Sequence, residues 1–298
     1  MIGGRPKLMI AFDESEYADA AIEDLPRAGM PDDADVLVIS VSDFSAGTPE
    51  VSEFDILSAA SRRTDAVLGA VRSHQAQMLK ETRGIVAKIV HDIRVRFPEW
   101  RVHGEVLRGR PVDELLRKAD RWKPDLITVG SQGRSTIGRF FLGSVSRSVA
   151  EEANCSVRVV RRGFEKADGE PTEIILCAKH PAEAEQIVDA FIKRSWPDET
   201  RVRLVTIENA DPAARVSAFY PDGKSICESA AERLADAGVT VSVQVESGDP
   251  KTILIQAADA WRSDAIFVVA GGTIDGPKLD ETASGLITDA KCTVEIVR

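Results

Sequence analysis

The chain is written twice, and no other feature limits its fold as much. Residues 104–133 superpose on residues 243–272 without a gap and share 11 identities in 30, where unrelated sequences of average composition would share about two. Among them are Gly109/Gly248, Pro111/Pro250, Asp120/Asp259, Trp122/Trp261, Asp125/Asp264, Ile127/Ile266 and Val129/Val268. A second block matches ANCSVRVVR, from Ala153 to Arg161, with AKCTVEIVR, from Ala290 to Arg298, in five of nine positions. It makes Cys155 equivalent to Cys292. A third block, carried more by pattern than identity, lays KLMIAFD on EIILCAK, Pro31-Asp32 on Pro197-Asp198 and ADVLVISV on TRVRLVTI. Its offset is 166 against 139 for the first block, so the first copy carries 27 extra residues between about Ser42 and His103. Two units fit a chain of 298 residues, since a domain runs to roughly 100–200. The boundaries expected are 1–162 and 172–298, joined by the polar Gly/Pro run from Arg162 to Pro171.

Within the first copy, short apolar runs alternate with stretches of helical period, the grammar of βαβ units. LMIAF and VLVISV are near-continuous apolar runs, as parallel strands covered on both faces require. A helix from about Ser15 to Arg27 joins them, with Asp13 and Glu16 as its capping pair. Leu79, Val86, Val90, Ile93 and Phe97 recur close to the 3.6 period and predict a helix over 71–96. Strand RVHGEVL follows. Pro111 then stands where a helix's first turn tolerates proline, and Val112, Leu115, Leu116 and Ala119 form that helix's buried stripe. Strand DLITVG, a loop, a helix over 144–153 and strand SVRVV complete the unit. The fold class expected is α/β: two tandem, doubly wound, five-stranded parallel sheets of Rossmann-like type. Ligands of such sheets bind at the carboxyl ends of strands, where the winding reverses.

Composition narrows the partners. The net charge of −10 and the lack of a basic stripe argue against nucleic acid. No apolar run reaches the roughly 18 residues of a membrane span, and no signal-peptide core follows the first residues. A cytoplasmic location is expected. Cys155, Cys177, Cys227 and Cys292 form no CxxC pair and read as reduced, mostly buried thiols. His74, His91, His103 and His180 lack HExxH or triad-like partners.

Strand DLITV runs into Gly130-Ser-Gln-Gly133 and, nine residues later, Gly143-Ser144 at the start of the next helix. Phosphates need backbone without Cβ close by, and the helix start offers free N–H groups and a positive dipole end. Walker A and GxGxxG motifs are both missing. Arg134 and Arg139, in the same loop, read as solvated.

This G-x2-G-x9-G-S spacing, a first strand ending in aspartate and a closing VxVV strand resemble the universal stress protein family; the duplication resembles its tandem members. The resemblance covers nearly the whole chain. It implies an adenine nucleotide between the first and fourth strands, ATP with an accompanying Mg ion, held without catalytic side chains. Carried over position by position, Asp13 lies near the ribose and adenine and Val41 beside the adenine. Gly130, Gln132, Gly133, Gly143, Ser144 and Val145 surround the phosphates, with Gly109 before the third helix. The family's DGS reads Asp13-Glu14-Ser15, which adds a second carboxylate. Family members also pair through their last strands, which implies that SVRVV and TVEIV join inside one chain, with Arg158 and Glu295 at equivalent outward positions; a homodimer of whole chains and a client protein stay open.

The second copy keeps the sheet and loses the motif. Asp13 becomes Lys179, Gly130 becomes Val269, and Gly143-Ser144 becomes Asp280-Glu281. Two carboxylates facing phosphate oxygens would repel them by several kcal/mol, on the order of a thousandfold in affinity. A stress-response module that holds ATP in its first repeat only is therefore expected. A slow ATPase using the same pocket, or a protein-binding scaffold without nucleotide, are the alternatives.

Overall fold

The structure, a computed structural model, describes residues 4–43, 61–132, 142–164, 166, 169–208, 223–271 and 279–298. Gly133, Arg134, Arg139 and Gly272, and residues 44–60 of the first copy, lie outside them.

The first repeat runs β1 (Lys7–Ala11), α1 (Glu16–Glu23), a 3-10 turn (Leu25–Arg27), β2 (Asp35–Ser42), α2 (Ser61–Arg96), β3 (Arg101–Arg108), α3 (Pro111–Trp122), β4 (Leu126–Gly130), α4 (Ser144–Glu152) and β5 (Ser156–Val160). The second runs β6 (Glu173–Cys177), α5 (Pro181–Ile192), β7 (Arg201–Glu208), α6 (Gly223–Asp236), β8 (Thr240–Ser247), α7 (Pro250–Trp261), β9 (Ala265–Val269), α8 (Glu281–Asp289) and β10 (Thr293–Val297). Every strand bound in one repeat recurs in the other at the offset that the sequence alignment requires. The helices before β3 and β8 do not, at 36 residues against 14. The first copy's excess thus goes largely into α2, which begins ten residues earlier than the periodicity of its apolar face indicates. Ser61 to Ala70 contain no proline and one glycine, so nothing in them stops a helix.

Both repeats contribute to one ten-stranded sheet of order β3-β2-β1-β4-β5-β10-β9-β6-β7-β8. Neighbours within each repeat are parallel, and β1 pairs with both β2 and β4. That junction is the switch point, where loops on the two sides diverge and leave a crevice. The repeats meet at β5 and β10, which run antiparallel with Arg158 opposite Glu295. Pairing two last strands removes two edges that would otherwise template association.

The core follows the strand alternation. On one face of the sheet, Met9, Ile127, Val149 and Val157 of the first repeat form a single cluster with Ile175, Leu254, Leu286 and Val294 of the second. On the other face each repeat has its own cluster, around Ile10, Val38, Val90 and Ile93 or around Leu176, Ile187, Phe191 and Phe267. Arg158 and Glu295 lie on this second face, and they are not outward: both are fully buried. Arg158 takes both oxygens of Asp24 at 2.6 and 3.0 Å and Glu295 at 3.0 Å. Glu295 is held from its other side by Arg194. Four charges of alternating sign therefore bridge the two separate clusters.

Candidate functional site

The cleft lies over the carboxyl ends of β1, β2 and β4. A main-chain geometry that few sequences adopt builds its first wall. After β1, Glu14 takes φ 63°, a left-handed conformation that costs an ordinary side chain about 1–2 kcal/mol. This is where the family pattern has glycine. The kink lets Ser15, not Asp13, cap α1: Ser15 Oγ accepts from the Ala18 amide at 3.2 Å and donates to the Gln132 carbonyl at 3.3 Å. Asp13 instead accepts from the Ser15 amide at 3.1 Å and is exposed at the rim. The expected Asp13/Glu16 capping pair is replaced because the turn at Glu14 leaves Asp13 two residues upstream of the N-cap, Ser15.

The opposite wall is the exit of β4. The Gly143 amide donates to the Ser131 carbonyl and the Ser131 amide to the Val160 carbonyl, each at 2.8 Å. Ser146 Oγ donates to the Gly130 carbonyl at 2.6 Å. These bonds fix the start of α4 against the end of β4. Gly143 is the N-cap of α4, and no side chain caps this helix. A helix start has up to four amides without an intrahelical partner, and those of α4 border the cleft.

Asp13, Val41, Gly130, Gln132, Gly143, Ser144 and Val145 all line one open cavity of about 390 Å³. They come from three separate stretches of chain and are brought together only by the winding of the sheet. Ala11, Ile39 and Leu115 supply apolar wall, and Asp43 adds a second carboxylate. Sequence alone does not assign Ile39, Asp43, Pro111, Leu115 and Ser146 to the site; Asp43 follows β2 as Asp13 follows β1, and that parallel is the signal that marks it. Gly109 stands apart from the lining. Its φ of 139°, matched by 141° at Gly248, shows that glycine is kept in both repeats for the turn between strand and helix.

The second repeat closes the same position with its own side chains. Asp280 replaces Gly143, and its Oδ1 accepts from the Ala283 amide at 2.8 Å, capping α8. Its other oxygen is held by Lys179, the residue in place of Asp13. The two carboxylates expected to repel phosphate oxygens are therefore not both bare: Glu281 is exposed in the first turn of α8, and Asp280 is paired. Asp280 is neutralised, and what fills the anion position is an ion pair already satisfied inside the fold. The change from an Asp13/Gly143 combination to Lys179/Asp280 is a paired exchange that the two sequences display side by side.

Among the described residues, no group of three or more His, Cys, Asp or Glu side chains is placed to hold a metal ion, and no helix is long and apolar enough to cross a membrane. The four histidines are exposed. Trp122 and Trp261 pack against the shared core cluster.

The sequence profile of the Universal stress protein family matches residues 4–161 and again 158–298. A universal stress protein of Methanocaldococcus jannaschii is 29% identical over 160 residues, covering 52% of this chain and 82% of that protein. One from Synechocystis is 25% identical over 163 residues, covering 53% and 99%. The crystal structure of a universal stress protein from Archaeoglobus fulgidus superposes with a TM-score of 0.63 at 15% identity and covers 98% of both chains. At that identity the likeness concerns the fold, including its tandem arrangement.

Proposed function

The chain belongs to the universal stress protein family and is built from two of its units, and on that premise we propose that it is a nucleotide-responsive regulatory module that binds ATP in the first repeat alone. The observation that carries this reading is the contrast between two equivalent helix starts. The amides of α4 border an open cleft without a side-chain cap, whereas those of α8 are capped by Asp280. Unpaired amides at the positive end of a helix favour a phosphate group.

The rest of the cleft suits an adenine nucleotide. Its volume falls in the range of small-molecule sites, about 300–1,000 Å³, with apolar walls and few polar groups. Val41, Ile39 and Leu115 offer a flat apolar surface to a base, and the Asp13 carboxylate accepts from ribose hydroxyls. The Ser144 and Val145 amides and the Ser144 hydroxyl present donors to the phosphates, with Gln132 and Gly143 lining the same end of the cleft. Mg would be carried chiefly by phosphate oxygens and water, as that ion commonly is. The residues present bind and orient; none of the described ones forms a base and nucleophile pair, so occupancy rather than turnover is the signal. A client protein would read it.

Isothermal titration with ATP tests the proposal. One nucleotide per chain is expected; none, or two equal sites, overturns it. The variant Gly143→Asp imports the second repeat's cap into the first. It should leave the fold as stable or slightly more so, because aspartate is the better N-cap, and it should abolish ATP uptake.

A further inference from the structure

Both helices that open on the cleft are tied to the second repeat, α1 through one intervening side chain and α4 directly. The residue that closes α1 is Asp24, which grips Arg158 and through it Glu295. The last turn of α4 exposes the Ala150 carbonyl, and the guanidinium of Arg298, following β10, donates to it and to the Cys155 carbonyl at 3.2 Å. Arg147 of α4 adds a bond to Thr288 Oγ1 at 3.3 Å.

The Arg298 contact has a twin. Arg161, at the equivalent place after β5, donates to the Ile287 and Thr288 carbonyls at the end of α8, at 2.8 and 2.7 Å. Even the main chain repeats: the Arg161 amide donates to Thr293 Oγ1 and the Arg298 amide to Ser156 Oγ. Each repeat therefore closes the carboxyl end of the other's final helix with an arginine, the charge that a helix C-terminus favours. The two clamps are alike, but the helices they hold are not. The far end of α8 is sealed by Asp280, whereas the far end of α4 faces the cleft.

Nine residues make a helix of about 13 Å, too short to hold its own shape without tertiary support. What fixes one end of α4 therefore sets the direction of the amides at the other. We propose that the second repeat is the positioning element of the first repeat's cleft, and that Arg298 is the positioning residue through which it sets nucleotide affinity. This rests on the reading that the cleft binds ATP. It gives the repeat without a binding motif a function at the site it does not contain.

The twin supplies the control. In the full chain, Arg298→Met and Arg161→Met remove equivalent clamps and should lower the melting temperature by similar amounts. Arg298→Met should weaken ATP binding by about five- to tenfold, the scale of coupling between linked sites, and speed hydrogen exchange of the hydrogen-bonded α4 amides at residues 147–153. Arg161→Met should leave both unchanged, and Arg298→Lys should restore part of the affinity. Equal effects of the two Met variants on ATP affinity, or no effect of Arg298→Met, overturn the proposal. If the wild-type chain takes up no ATP, the binding reading itself fails. The exchange measurement then still decides the clamp: faster exchange in Arg298→Met alone supports it, and unchanged exchange overturns it.

Discussion

Arg158 of β5 and Glu295 of β10 face each other across the antiparallel seam, both without solvent exposure and joined at 3.0 Å. Each also holds an opposite charge from a helix end of its own repeat, Asp24 or Arg194. Burial opposes the Arg158 charge, but Asp24 and then Glu295 outweigh it and raise its pKa. Burial likewise opposes ionised Glu295, and Arg194 followed by Arg158 outweighs it, so its pKa is lowered. Pairing two first repeats through β5 would set Arg158 against Arg158, and pairing two second repeats would set Glu295 against Glu295. The order of signs favours joining unlike repeats.

Removing one member leaves buried charge behind. Arg158→Met is expected to cost about 3–5 kcal/mol, as breaking a buried pair generally does. Combined with Glu295→Gln, the loss should fall short of the sum of the single losses by about 1 kcal/mol or more. Urea unfolding of the two single variants and the double variant measures this, and strict additivity would show that the two side chains do not interact.

Acid should weaken the seam. The folded pKa of Glu295 lies below its ordinary 4.5, so the unfolded chain binds more protons and the contribution is complete above that value. It is lost as pH falls through the lower, folded value. Asp189, bonded by Arg233, adds in the same direction, and Glu173, raised first by burial, opposes it. Stability of the wild-type chain should therefore drop steeply on the acid side, and Glu295→Gln should flatten that limb while lowering the plateau.

Gly130 is required by what lies over it. A Cβ there would sit 2.6 Å from the Tyr17 carbonyl oxygen and 3.0 Å from the Ala18 nitrogen, backbone that cannot swing aside. Gly130→Ala should destabilise the chain by about 1–3 kcal/mol through overpacking, and should push α1 off β4. Thermal melting together with ATP titration would detect both; a variant as stable as wild type would mean that α1 yields without cost.

The thiols should be inert in the folded chain. Burial raises Cys155 and Cys227 to about 11 and Cys177 and Cys292 to about 12. At pH 8 even the most acidic of them is thiolate in roughly one molecule in a thousand. A disulfide reagent should titrate four thiols after denaturation and react far more slowly before it.

The duplication, the order of elements, the approximate strand bounds and seven of the residues lining the cleft were legible in the sequence or in the family resemblance it carries. They depend on local signals: apolar period, glycine spacing, and the repetition of both at fixed offsets. Three things were not. α2 begins ten residues before the expected start because Ser61 to Ala70 hold no proline to stop a helix. Ser15 displaces Asp13 as cap because Glu14 is held at positive φ. Arg158 and Glu295 lie inside because the helix ends carrying Asp24 and Arg194 cover them.

The last of these is settled by partners distant in the chain, and no window of sequence contains both members. The same holds for the closed second site, where Lys179 and Asp280 are 101 residues apart, and for the crossed arginine clamps. Local pattern determined which segments are strands and helices and which loop is suited to phosphate. Only the tertiary structure decided which charges are buried, how the helix ends are capped, and that an ion pair fills the second cleft, because each depends on side chains that meet only once the sheet is wound.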